Sequence, residues 1–367
     1  AMMFKRDEIV FLMGAGSSFE AGIPTSCGMI DDLEKLLTDS AEWQEFSPLY
    51  NFVKSAIVYA DGIQGIFDHS NFNIERLVNT LDELLKSDKH PIFPFIGSWT
   101  PKLPEVSGND FSKITLFREK IVEQLSRHWV QLEYDEHAQY YSGLSKFQKD
   151  YQHPLRIFTL NYDLCIEKAC SESGVERGFG DGKQWDWRIF DNEEQISSSI
   201  FLYKLHGSVD WTRDDNGFLI YKDRNISPDA IEIIFGTSYK LQYIDPFLFF
   251  AYEFRKRTLS DAKIIICVGY GFGDDHINGI ITQALNNNQE RKLLVVSPAN
   301  EPGKEAERIQ NILELETKEN IIHQNYGAKE YLSSVLSIKN LQSAFPETES
   351  PFEELETSDQ QEEKSEQ

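Results

Sequence analysis

The sequence predicts an α/β protein built on a doubly wound parallel sheet, and two observations predict it. Short apolar runs rich in β-branched or aromatic residues recur at Glu8–Met13, Leu155–Leu160, Ile200–Leu205, Ile231–Phe235, Lys263–Val268 and Lys292–Val296, each followed by Gly, Asn, His or Ser. Helical stretches separate several of them, at Leu164–Glu172, Pro246–Arg257, Asp275–Asn286 and Lys304–Ile312. Strands that alternate with helices imply parallel pairing and right-handed crossovers, a Rossmann-like arrangement.

The first run stops at Gly14 and reads as a buried strand feeding a glycine turn, with a helix expected from about Cys27 to Leu37. Residues 43–153 then break the alternation. Phe72–Lys86 and Phe111–Tyr140 carry apolar residues at three- and four-residue spacing, which predicts amphipathic helices. Pro91–Asp110, with four prolines and two glycines, reads as a loop or a break between helices. The block is expected to be an inserted helical layer or subdomain within one domain spanning residues 1–345. From 346 to 367 the composition turns to Glu, Ser, Thr and Gln, which predicts an acidic disordered tail.

Composition narrows the class. Of the 367 residues 40% are hydrophobic and 13% aromatic, enough for a sizeable core. The net charge of −24 repels a phosphate backbone and argues against non-specific nucleic-acid binding. The tail contributes one third of it, with nine acids and one lysine. No apolar run is long enough to span a bilayer, and charges interrupt the N-terminal segment as they would not in a signal peptide. Cys27, Cys165, Cys170 and Cys267 include no C-x-x-C pair, so a structural zinc and a disulfide framework are both disfavoured, and free thiols fit the cytoplasm.

In open parallel sheets ligands bind beyond the carboxyl ends of the strands, so the residues just after each strand matter most. Gly14-Ala15-Gly16-Ser17-Ser18 follows the first, with Gly22-Ile23-Pro24 downstream. Gly14 permits a tight turn, and Gly16 lets the backbone approach a diphosphate. Thr159-Leu160-Asn161-Tyr162-Asp163 follows the second. Its Asn and Asp can bond ribose hydroxyls or position a water, or else cap the next helix. His206-Gly207 follows the third and places a candidate base at a strand end, where a structural histidine is the plain alternative. Three glycines crowd Val268–Gly273 ahead of Asp274, a candidate helix cap, and Ser297-Pro298-Ala299-Asn300 follows the last strand.

Together and in this order these motifs resemble the sirtuin family, over roughly residues 8–325. The carriers are Gly-Ala-Gly-x-Ser with Gly-Ile-Pro, Thr-x-Asn-x-Asp, the His-Gly pair, and Gly236-Thr237-Ser238, which is similar to the family's Gly-Thr-Ser loop. Gly269–Asn278, reading Gly-Tyr-Gly-Phe-Gly-Asp-Asp-His-Ile-Asn, looks closer to the prokaryotic sirtuin-like branch of antiphage defence than to deacylases. Two departures point the same way: the four-cysteine zinc module is missing, and Thr25-Ser26 stand where deacylases carry Phe-Arg.

The resemblance implies an NAD glycohydrolase that takes NAD as substrate, cleaves the nicotinamide–ribose bond and depletes NAD during infection. It implies that Gly14, Ala15, Gly16 and Ser17 hold the diphosphate. Asn161 would position the ribose or the attacking water, Asp163 would bond near the carboxamide, and His206 would act as base. Ser297 and Asn300, with Gly236 and Thr237, would line the adenosine side. It also implies a homo-oligomer and a HerA-like hexameric ATPase partner. An NAD-dependent protein deacylase and a non-catalytic NAD- or ADP-ribose-binding subunit are the alternatives. No tight carboxylate cluster supports a metal-dependent nuclease.

Overall fold

The structure is a computed structural model and describes residues 4–67, 72–86, 91, 101–192, 198–223, 226–235 and 244–345. Its centre is a seven-stranded sheet in the order β3-β4-β2-β1-β7-β8-β9. The strands are β1 (Ile9–Met13), β2 (Leu155–Thr159), β3 (Val175–Glu176), β4 (Ile200–Lys204), β7 (Ile264–Val268), β8 (Lys292–Val296) and β9 (Ile321–Gln324), and every neighbouring pair is parallel. A separate hairpin pairs β5 (Trp211–Arg213) with β6 (Leu219–Tyr221).

Both faces of the sheet are covered, which is why its strands read as unbroken apolar runs. Ile9, Phe11 and Met13 enter one core with Ile157, Leu202, Ile266 and Leu294. Val10 and Leu12 enter the other with Phe158, Tyr203, Cys267 and Val295. The helices Phe247–Lys256, Asp275–Asn287 and Pro302–Ile312 cover the second face through Phe250, Phe254, Ile281 and Ile309.

A third core belongs to the helices between β1 and β2. Ser26–Asp39, Ser47–Ile63, Ile74–Lys86 and Ser112–Gln124 bury Leu33, Leu49, Leu77, Leu81 and Phe117 against one another. This layer takes in Tyr162, Val209, Ile233 and Phe235, so it sits over loops that follow β2 and β4. The last part of the block does otherwise: Ala138, Tyr140, Tyr141, Leu144 and Phe147 pack on the first face of the sheet.

Several expectations need correction. Ile231–Phe235 is not a strand. It makes one antiparallel bridge, Gly207 to Ile233, and then sends Ile233 and Phe235 into the helical layer, so tertiary packing overrides its β-branched composition. The helix expected through Phe111–Tyr140 is interrupted. Ser112–Gln124 runs into one wider turn to Trp129, and a short tight helix resumes at Asp135–Tyr141. The expected break at Pro91–Asp110 contains a short helix, Lys102–Ser107, while its residues 92–100 lie outside the described residues, as does the acidic tail at 346–367.

Candidate functional site

The chain order reverses between β1 and β7: β2, β4 and β3 lie to one side of β1, and β7, β8 and β9 to the other. The crevice at such a reversal is where open α/β sheets bind ligands. The loops that leave β1 and β7 meet there. The Gly14 amide donates to Val268 O at 2.9 Å, and the Gly16 amide to Gly269 O at 2.9 Å. A Cβ on Gly14 would stand 2.5 Å from Gly269 O, and one on Gly269, whose φ is +63°, would stand 2.1 Å from the Ser17 nitrogen. Gly14, Gly16 and Gly269 therefore need to be glycine because the two backbones touch there, whereas a Cβ on Gly271 or Gly273 would meet open space.

This corrects the expected role of part of the turn. Ser17 N donates to Gly14 O, so the amides of Gly14, Gly16 and Ser17 are all engaged within the protein. The Ser17 hydroxyl donates to Gly14 O at 2.7 Å and accepts from Tyr141 Oη at 2.8 Å and Asn161 Nδ2 at 3.1 Å. With one donor and two lone pairs it has no capacity left for a diphosphate. Ser17 holds the turn. Ala15 is its exposed residue, at the head of the short helix Ala15–Ala21.

Asn161, just beyond β2, reaches across to this turn. Its Nδ2 donates to Gly14 O at 3.0 Å and lies within bonding distance of the hydroxyls of Ser17 and Ser18. Asp163 is buried, and its Oδ1 accepts from Cys165 N at 3.0 Å, a local turn bond at the entry to the short helix Cys165–Ala169, whose N-cap is Leu164. Its carbonyl binds the ammonium of Lys204, which also pairs with Glu167 at 3.0 Å. Lys204 thus ties the loop after β2 to the strand that leads to His206. Burial, reinforced by the Asp163 carboxylate, pushes the Cys165 thiol far up, and burial raises Cys170 to about 11; neither thiol is poised as a nucleophile.

His206 follows β4 and is buried. Gly207 turns the chain at φ +87°, where a Cβ would stand 2.1 Å from Glu232 O. The His206 carbonyl accepts from Ile234 N at 2.8 Å, and its Nε2 bonds Asp274 Oδ2 at 3.0 Å. Asp274 ends the loop that begins at Gly269, so His206, Asp274, the two touching glycine loops and Asn161 form one linked assembly at the carboxyl edge. Asp274 is the helix cap that the sequence predicts, through Oδ1 to His276 N and Ile277 N. Its pairing with His206 is not visible in the sequence, because no local pattern joins residues so far apart in the chain.

Ser297, after β8, bonds His323 on β9 through its hydroxyl at 3.3 Å and its carbonyl at 2.9 Å. Asn300 is exposed ahead of the helix Pro302–Ile312. Gly236 and Thr237 lie outside the described residues. Among the described residues, no group of three or more His, Cys, Asp or Glu could hold a metal ion, and no helix is long and apolar enough to cross a membrane.

Fold and site together define a doubly wound α/β protein whose carboxyl-edge loops converge at the sheet's reversal point. The family model of the SIR2-like domain matches residues 155–322, from the start of β2 into β9. Among solved structures, a Sir2 homologue in complex with NAD aligns over 92% of this chain and 88% of its own at 12% identity, with a TM-score of 0.45. A mutant Sir2 homologue in complex with ADP-ribose aligns over 92% of both chains at 12% identity, with a TM-score of 0.43. A search of curated proteins gives no match.

Proposed function

We propose that this chain uses NAD as a substrate and hydrolyses the bond between nicotinamide and ribose. The supporting observation is the linked assembly at the reversal point. A histidine and an asparagine from two strand ends are fixed to the same pair of touching loops, and both residues lie within the segment that matches the SIR2-like domain.

Breaking the glycosidic bond builds positive charge on the ribose as nicotinamide leaves. His206 acts as base on a ribose hydroxyl or on the attacking water. Asn161 aligns the ribose or that water through the carboxamide it presents beside Gly14. Ala15 is the exposed turn residue left to meet the diphosphate, and Ser297 and Asn300 are assigned to the adenosine side, as are Gly236 and Thr237. Asp163 is assigned to the neighbourhood of the nicotinamide carboxamide.

The resemblance to the antiphage-defence branch extends the proposal to an NAD-depleting effector. It would work as a homo-oligomer in the cytoplasm, with a HerA-like hexameric ATPase as partner. The test is chromatography of NAD after incubation with the full chain, with and without such an ATPase. Nicotinamide and ADP-ribose are expected to appear together. His206→Ala is expected to reduce their formation about 10²- to 10⁴-fold. Wild-type turnover by that variant, or consumption of NAD only when an acyl-lysine peptide is present, would overturn the reading.

A further inference from the structure

We propose that Asp274 is the positioning residue of His206: it fixes the imidazole tautomer and so decides which ring nitrogen is the base. The kinetic arm of this proposal rests on the NAD-hydrolysis reading; the structural arm does not.

The two oxygens of the Asp274 carboxylate serve different partners. Asp274 is 4% exposed. Its Oδ1 accepts from the amides of His276 at 3.0 Å and Ile277 at 3.3 Å, the opening turn of the helix Asp275–Asn287. Its Oδ2 stands 3.0 Å from His206 Nε2. Rotating the side chain toward a different partner would give up the cap, so the helix itself holds Oδ2 in place. The main chain is held as well: the Asp274 carbonyl accepts from Asn278 N at 2.8 Å and Tyr270 Oη at 3.2 Å.

A carboxylate accepts hydrogen bonds and donates none, so the proton between the pair belongs to Nε2. In the neutral ring the lone pair then falls on Nδ1. Among the described residues Nδ1 has no hydrogen-bond partner, and it is the nitrogen left for a ribose hydroxyl or a water. His206 is itself 4% exposed, and its carbonyl is tied to Ile234 N, so neither end of the residue is loose. Asp275, the next residue, is exposed and heads the same helix, so the acidic pair divides its work. One carboxylate faces solvent at the helix start, and the other faces the histidine.

The separating variant is Asp274→Asn. Asparagine caps helices about as well as aspartate. With its Oδ1 on the capping amides it presents an NH₂ donor to His206, so Nε2 must accept and the ring proton moves to Nδ1. The expected result is a kcat for nicotinamide release about 10²- to 10⁴-fold lower, the scale of loss when a triad histidine is put in the wrong tautomer. KM should stay within about twofold and the thermal midpoint within a few degrees. Imidazole ¹⁵N NMR reads the tautomer directly, with the His206 signals identified by their loss in His206→Ala. The wild-type chain is expected to show the Nε2–H form and Asp274→Asn the Nδ1–H form.

Asp274→Ser covers the case in which the asparagine variant does not fold. Serine caps the helix but is too short to reach the ring, so a mixture of tautomers and a reduced kcat at unchanged KM are expected. An Nδ1–H form in the wild type, or an unaltered kcat with either variant, would overturn the proposal. If the wild-type chain releases no nicotinamide, the hydrolysis reading fails, and the NMR result still decides the role of Asp274.

Discussion

The two ends of the sheet both carry buried charge, and they use it differently. At the amino end, Asp7 lies between two guanidiniums, 2.8 Å from Arg156 Nε and 2.8 Å from Arg257 Nη1, and Arg257 also meets Glu253 at 3.2 Å. Arg156 packs over the Phe201 ring and donates to Tyr203 Oη, and Glu8 pairs with Lys263 at 2.9 Å. Acids and bases are matched there, and the network fastens β1, β2 and the helix Phe247–Lys256 together. At the carboxyl end, His206 has one nitrogen on Asp274 and, among the described residues, no hydrogen-bond partner for the other. The amino end is a clamp. The carboxyl end is a holder with one valence open, and that difference, more than the amount of burial, sets the candidate site apart.

The comparison can be broken most severely at the carboxyl end. Asn161→Ala removes the bond that aligns this residue with the Gly14 turn, and nicotinamide release is expected to fall about 10²-fold or more, since small misplacements cost that much. Circular dichroism should show an intact fold; retained turnover would mean that Asn161 serves the turn alone.

Next is Gly269→Ala. A side chain at φ +63° that must also displace the Ser17 backbone combines strain with overpacking, and a loss of about 3 kcal/mol in denaturant melts is expected. A neutral result would show that the two loops can separate.

Asp7→Asn tests the clamp. Asp7 already has φ +65°, which asparagine tolerates, so the change falls on the charge. Removing it takes the Asp7 charge away from the buried Arg156 guanidinium and should cost about 3 kcal/mol at neutral pH. Burial raises the Asp7 carboxyl, but Arg156, Arg257 and Arg6 outweigh it and hold the pKa below 3.8. A carboxylate depressed on folding stabilises above its unfolded pKa and loses that contribution as pH falls through its folded value. The gap between wild type and variant should therefore be constant above about pH 5 and close in stronger acid. A gap independent of pH would rule out the charge as its cause.

The smallest effect is expected from Lys263→Ala. Its side chain is 39% exposed, and the pair with Glu8 should be worth about 0.5 kcal/mol, fading with added salt. A larger loss would show that the clamp extends to the rim.

Much of this was legible in the sequence because strands covered on both faces cannot alternate polar and apolar residues. Those at 9–13, 155–159, 200–204, 264–268 and 292–296 announced themselves, and so did the residues at their ends. The edges were less visible. β3 is two residues long, and β9 reads Ile-Ile-His-Gln because an edge strand is covered on fewer sides. The hairpin's Asp214-Asp215-Asn216-Gly217 turn is a signal that could have located β5 and β6. At the site, motif residues could be named, but their partners could not. That Ser17 is saturated by Tyr141 and Asn161, and that Asp274 reaches His206, are facts of long-range packing.

The position of the helical layer has a consequence for how the molecule assembles. β1 and β2 are neighbours in the sheet, yet the whole layer is threaded between Met13 and Leu155. Bringing the ends of so long a segment together from an unstructured state costs about 2 kcal/mol more than closing a dozen-residue crossover. A layer with its own apolar interior would relieve this by condensing first, which turns a long tether into a short one. Substitutions inside it, at Leu77 or Phe117 for example, should then slow the joining of the two central strands even though they touch neither.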